Sequence, residues 1–367
     1  MNSKKSLGIL EGTDSSHYLT PPTFSPLNPS GIPTDPQNIS NKSNLENISK
    51  DEGESLDSLQ VPKILSQYLK QQLCYDVLPI SFRAIVLDSG LLVKKALAAL
   101  LQNGVASAPI WDAAQQKFAG MLTVADFINL IQYFYQHSSY TEALEEIEQL
   151  KIHALRGIEE QLGVPTPAIV SAHPLDSLYH ASKIMIDANL QRLALVDKDS
   201  QTGDDVIISV LTQSRILKFV ASNYKEKKLF CQPLAELKIG TYKNLATASM
   251  STPVIEIINT FVQRDISAVP IVDENNIVLN VYEHSDVMIL AHEGAFYDLD
   301  MPAEEALLRR PEDFEGVHTC RLNDTLLSIF DTIRQSRVRR FIVVDSDDKL
   351  LGIVSLSDIL SYLFISD

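Results

Sequence analysis

Arg340-Phe-Ile-Val-Val-Asp345, followed after a short polar turn by Val354-Ser-Leu-Ser-Asp358-Ile-Leu, is the stretch from which the architecture is read. A run of β-branched and apolar residues closed by an acid describes a strand that ends in a turn. The strand signature returns as Ser107-Ala-Pro-Ile-Trp-Asp112, Arg192-Leu-Ala-Leu-Val-Asp197 and Ala268-Val-Pro-Ile-Val-Asp273. The second signature returns as Leu122-Thr-Val-Ala-Asp126-Phe-Ile, Leu211-Thr-Gln-Ser-Arg215-Ile-Leu and Val281-Tyr-Glu-His-Ser-Asp286-Val-Met. In chain order the two signatures are 14, 18, 13 and 13 residues apart, so the chain holds four copies of one unit. Each strand is preceded by an amphipathic stretch, such as Leu92-Val93-Ala96-Leu97-Leu100 or Val254-Ile257-Ile258-Phe261, with helical spacing.

Each unit therefore reads strand, helix, strand, turn, strand, helix, an α/β pattern in which helices cover one face of a small sheet. A unit of about 55 residues buries too little surface alone, so the copies are expected to pack in pairs. The polar Tyr-Lys-Glu-Lys-Lys run ending at Lys228 separates the second copy from the third, which predicts one pair over 61–226 and another over 227–367. Residues 1–60 are rich in Ser, Asn and Pro with no periodicity, and are expected to be a disordered tail.

Composition excludes several functions. Lys plus Arg number 31 against 47 Asp plus Glu, a formal charge of −16, the wrong sign for wrapping duplex nucleic acid. No apolar run reaches the roughly 18 residues of a membrane helix, and the first residues lack a secretory segment, so an intracellular, soluble chain is expected. Cys74, Cys231 and Cys320 have neither disulfide nor metal-site spacing and read as reduced core residues. The nearest approach to a zinc-protease motif, His292-Glu293, has Phe296 where the second His would stand. No phosphate-loop or nucleophile-elbow motif occurs, and the segment from Gly8 to Gly12 has Thr13 in place of the lysine. Catalysis is not expected.

Together with Cys74-Tyr-Asp-Val-Leu-Pro79, Phe118-Ala-Gly-Met-Leu-Thr123, Ile239-Gly-Thr-Tyr242, Phe314-Glu-Gly-Val317 and Gly352-Ile-Val-Ser-Leu-Ser-Asp358, these signatures resemble the tandem cystathionine-beta-synthase (CBS) domain family. Within it the chain is most similar to the regulatory gamma subunits of AMP-activated protein kinase, over nearly all of 73–361. The resemblance implies four CBS repeats in two paired modules, forming a flat pseudo-four-fold disc whose clefts bind AMP, ADP or ATP as regulatory ligands. It also implies a heterotrimer with a catalytic alpha and a scaffold beta subunit, a cytoplasmic and nuclear location, and no catalytic cofactor, metal, nucleic acid or membrane partner.

In the family the acid of the second signature holds the two ribose hydroxyls, which assigns that role to Asp126, Asp286 and Asp358. An ionised carboxylate accepts one hydrogen bond from each of two adjacent hydroxyls, so the chemistry is sound. Each Asp also follows a strand and opens a helix, where a carboxylate complements the helix dipole in any case. Arg215 replaces the acid in the second copy and cannot accept. The resemblance assigns phosphate contacts to Arg192, Arg339 and Arg340, and places Thr241, Ala246, Ser267, Ser355 and Ser357 at the border of the nucleotide. Ala106, Gln191, Ser214 and Arg339 depart from the animal pattern toward a fungal one, which ranks the clefts of Asp358 and Asp286 above that of Asp126. Three alternatives remain beside the nucleotide sensor: a CBS pair serving another machine, an enzyme, and a scaffold whose clefts have lost their ligand.

Overall fold

A computed structural model describes residues 60–81, 84–137, 146–292 and 298–364. Residues 1–59, which make up nearly all of the expected tail, lie outside the described residues.

The four repeats share one plan. The first has β1 (Leu87–Asp88), helix Val93–Gln102, β2 (Ser107–Asp112), β3 (Lys117–Thr123) and helix Val124–His137. The second has β4 (Ser171–Ala172), helix Leu178–Asp187, β5 (Arg192–Lys198), β6 (Asp205–Thr212) and helix Gln213–Asn223. The fourth has β9 (Thr319–Cys320), helix Leu326–Gln335, β10 (Arg340–Val344), β11 (Leu350–Ser355) and helix Leu356–Phe364. In these three the short first strand pairs parallel to the second, and the second pairs antiparallel to the third.

The third repeat departs from the expected unit. It has helix Val254–Arg264, β7 (Ala268–Val272), β8 (Val278–Glu283) and helix His284–His292, but its first strand is reduced to one bridge, Ala248 to Ile271. In the fourth repeat Ile342 N–H donates to the His318 carbonyl, whereas the equivalent residue here is Pro270, which has no N–H to extend the ladder.

A register shift falls at the same place in all four hairpins: Ile110/Trp111, Leu195/Val196, Ile271/Val272 and Val343/Val344. The first helices bury the same stripe, for instance Val254, Ile257, Ile258 and Phe261 in the third repeat and Leu326, Ile329, Phe330 and Ile333 in the fourth. Ser177 and Thr325 cap the second and fourth of these helices through their hydroxyls.

Side chains of the second and fourth repeats share one core, including Leu178, Leu217, Phe330 and Leu360. Those of the first and third share another, including Leu97, Phe127, Ile258 and Val287. The sheets join the repeats the other way. Phe118 N–H donates to Asp205 Oδ2 at 3.0 Å between the first and second, while Ala268, Val281, Ile342 and Val344 cluster between the third and fourth. Helices thus link first to third and second to fourth, sheets link first to second and third to fourth, and the four repeats close into a ring.

Cys74 and Cys320 are buried as expected, and burial pushes both thiols up to about 12. Cys231 is the exception: it lies exposed after the short turn Lys227–Phe230, and so is not a core residue.

Candidate functional site

The four residues of the second signature each sit third in a helix, directly after the repeat's last strand. Asp126, Asp286 and Asp358 all use Oδ2 to accept the backbone N–H of the residue three before, Thr123, Glu283 and Ser355. One carboxylate oxygen is thereby spent on the helix start. The second oxygen decides what each acid can still bind.

In the first repeat that oxygen is taken. Arg156, from helix Leu155–Gln161, donates to Asp126 Oδ1 at 2.9 Å, to Glu159 and to the Met121 carbonyl. In the third repeat Arg310 grips Asp286 with two hydrogen bonds of 2.7 Å, and donates also to Asn280 and the Val281 carbonyl. Burial pushes the Asp286 carboxyl upward, and the guanidinium pulls it back down. In the second repeat Arg215 donates to the Val210 carbonyl at 2.9 Å. Met121, Val210 and Val281 are equivalent positions, so one backbone acceptor is met by an arginine in three repeats.

The fourth repeat is built differently. The equivalent carbonyl, Ile353 O, accepts the backbone N–H of Thr241 at 2.8 Å, and Ile353 N–H returns a bond to Thr241 O. Two glycines permit this approach: a Cβ on Gly240, whose φ is +106°, would lie 2.6 Å from Ile353 O, and one on Gly352 would lie 2.4 Å from the Tyr242 ring. Among the described residues no arginine bonds Asp358. Ser355 Oγ donates to its Oδ2 at 2.6 Å, and Oδ1 has no hydrogen bond among the described residues.

The arginines assigned to phosphate are linked to this carboxylate through Ser355. Arg340 is directly opposite Ser355 in the β10–β11 register. Its guanidinium donates to Ser267 O and Oγ, and to Glu283 Oε1 at 2.8 Å. Arg192, half-buried, has neither hydrogen bond nor ion pair among the described residues. Burial, with repulsion from Arg339, pushes it down to about 10, where it is still charged at neutral pH. Arg339 is exposed, and its repulsion also reaches His284. Burial and the charge of Arg340 push His284 down to about 3, so the ring is neutral and its Nε2–H donates to the Ile266 carbonyl.

The structure therefore brings Asp358, Ser355, Thr241, Arg340 and Ser267 into one run of contacts, with Arg339 and Arg192 coupled to it. Ser357 turns its hydroxyl to Gln213 Oε1 at 2.9 Å, and Ala246 packs against the core of the first and third repeats. Arg156, Arg310, Glu283 and His284 went unnoticed in the sequence. The arginines lie 30 and 24 residues beyond the acids they meet, in segments without a signature. Glu283 had a signal: it stands where the other copies carry Thr123, Thr212 and Ser355. An open hollow near Met250 is lined by Asp273, Glu274 and Glu304 without any cation, and does not suit phosphate. No group of His, Cys, Asp and Glu among the described residues could hold a metal.

Glu159 gives a prediction of its own. Burial first, then a hydrogen bond with Asp126, push its carboxyl up to about 7 from an ordinary 4.5, against the pull of Arg156. The folded chain then holds a proton that the unfolded chain has released, so stability falls as pH rises through that window. Glu159→Gln imitates the protonated form; in urea melts it is expected to gain on the parent chain between about pH 5 and about pH 8. An unchanged difference between the two proteins would contradict this.

The CBS domain model matches residues 160–222, 239–293 and 313–365, three of the four copies seen in the structure. The chain is 48% identical over 301 residues to the 5'-AMP-activated protein kinase subunit gamma of Kluyveromyces lactis, covering 82% of this chain and 91% of that one. It is 44% identical to the corresponding subunit of Saccharomyces cerevisiae, covering 85% and 96%. The chain belongs to the AMP-activated protein kinase gamma-subunit family. The fungal-like reading of the sequence fits these two yeast relatives. The fold is also that of a crystal structure from Methanocaldococcus jannaschii, with a TM-score of 0.59 at 14% identity, covering 79% of this chain and 99% of that one. The first repeat, which the family model does not match, carries the same strands, helices and register shift as the other copies.

Proposed function

We propose that the chain is the non-catalytic, adenine-nucleotide-sensing gamma subunit of an AMP-activated protein kinase heterotrimer. AMP, ADP and ATP compete for its clefts, and occupancy alters the kinase. One observation carries this reading: Asp358 keeps a carboxylate oxygen free among the described residues, and Ser355, which bonds it, stands opposite Arg340, itself coupled to Arg339. An acceptor for ribose next to cations for phosphate is what a nucleotide requires. The first ligand site is therefore the cleft of the fourth repeat, lined by Asp358, Ser355, Thr241, Ser267 and Arg340. Asp126 and Asp286 bind ribose only if Arg156 and Arg310 let go.

A ligand shifts the kinase only by binding its states with different affinity, so the alpha and beta subunits must sense the cleft rim. We place the complex in the cytoplasm and nucleus, and take 61–226 and 227–367 as the two CBS pairs. The arginines on Asp126 and Asp286 favour a second reading, a scaffold in which the clefts no longer respond to nucleotide. Equilibrium binding on the full chain separates the two. The sensor predicts saturable AMP binding that ADP and ATP each displace; a folded chain with no saturable binding at millimolar nucleotide supports the scaffold.

A further inference from the structure

Three residues before the second-signature position, the four repeats carry Thr123, Thr212, Glu283 and Ser355. The hydroxyls of Thr123 and Ser355 donate to the acid of their own repeat, at 2.9 and 2.6 Å, and that of Thr212 caps the helix by accepting Arg215 N–H. A carboxylate at this place has no proton to donate and repels the neighbouring acid. Asp286 accordingly takes its donors from Arg310, and the Glu283 side chain turns the other way, into the next repeat. There its Oε1 accepts Arg340 Nη1 at 2.8 Å while Oε2 accepts Ser285 Oγ at 3.2 Å.

The pair is largely withdrawn from water, with side-chain exposures of 11% for Arg340 and 20% for Glu283. Of the three arginines assigned to phosphate, Arg340 is the one with a carboxylate partner among the described residues; Arg192 and Arg339 have none. A phosphate oxygen arriving at Arg340 meets a guanidinium nitrogen already engaged by an anion. It must displace Glu283 or lie beside it, and both outcomes cost more as the ligand carries more charge.

We propose that Glu283 is a built-in carboxylate competitor for ligand phosphate at Arg340, which weakens nucleotide binding and disfavours ATP more than AMP. The proposal deepens the nucleotide reading of the fourth-repeat cleft and rests on it. Glu283 is then a specificity-determining residue contributed by the third repeat to a site in the fourth.

The test is a set of titrations on the full chain at one fixed ionic strength, with inorganic pyrophosphate, AMP and ATP as probes. Pyrophosphate has no ribose or adenine, so it reads the arginine cluster without Asp358. Two variants are compared with the parent: Glu283→Gln, which keeps the volume and the acceptor, and Glu283→Ser, which restores a hydroxyl as in the equivalent positions. In both, pyrophosphate and ATP are expected to bind about three- to tenfold more tightly, and AMP to gain less, because one negative charge beside the phosphates is gone. Equal or weaker pyrophosphate binding in the variants overturns the competition, and so does an AMP gain as large as that of ATP. The nucleotide reading fails separately, if Asp358→Ala leaves AMP affinity unchanged while pyrophosphate still responds to Glu283.

Discussion

Replacing Arg310 with methionine is expected to lower the unfolding free energy by about 3–5 kcal/mol, because it strands the Asp286 carboxylate inside the protein without its partner. Both side chains are buried, at 7% and 4% exposure, and the guanidinium also serves Asn280 and the Val281 carbonyl while lying 4.1 Å over the Phe314 ring. Four acceptor contacts and one cation–π contact disappear together. The contrast is Lys94, whose pair with Glu148 is 67% and 60% exposed; Lys94→Met should cost no more than about 1 kcal/mol. Pairing Arg310→Met with Asp286→Leu should recover much of the loss, since no charge is then left unpaired. Urea melts of the three variants check this, and a loss below about 1 kcal/mol for Arg310→Met would contradict the buried-pair account.

Most of the fold was readable because the repeat displays the same physics four times. The helical stripes recur in one phase, and in three copies the acid that closes the strand signature forms the turn, as Asp273 does by accepting the N–H groups of Asn275 and Ile277; in the second, β5 runs on through Lys198 and Asp199 takes that role. What the pattern could not convey is which surfaces meet. Each repeat has an apolar helix stripe and an apolar sheet face, and nothing in the spacing says that helices pair first with third and second with fourth while sheets pair neighbours. The missing strand of the third repeat was also invisible: Pro270 removes one ladder donor, but Pro109 stands at the same place in the first repeat, which keeps its strand.

The candidate site divides in the same way. Asp126, Asp286 and Asp358 look equivalent in sequence, and they do make the same bond to the helix start. Their difference comes from arginines far along the chain, and only the folded structure shows that Arg156 and Arg310 reach the first two. Arg339 and Arg340, adjacent in sequence, separate as alternation along a strand requires: one is exposed, and the other turns to Glu283 and Ser267.

The largest effect on ligand binding is expected at Asp358. Its free oxygen, with Oδ2 shared, offers acceptors for two adjacent ribose hydroxyls, and hydrogen bonds to a charged group contribute about 1.5–3 kcal/mol each. Losing both amounts to at least about a hundredfold in affinity. Asp358 and its hydrogen-bond partner Ser355 are both half-buried and Asp358→Ala strands no buried charge, so the fold should survive, with Ser355 losing a local bond. Asp126 already has Arg156 on its second oxygen, and its loss should change AMP affinity less than about threefold. The decisive measurement is a calorimetric titration of AMP into the full chain, the Asp358→Ala chain and the Asp126→Ala chain. The account predicts one tight site that disappears with Asp358 and persists without Asp126; tight AMP binding retained in Asp358→Ala would contradict it.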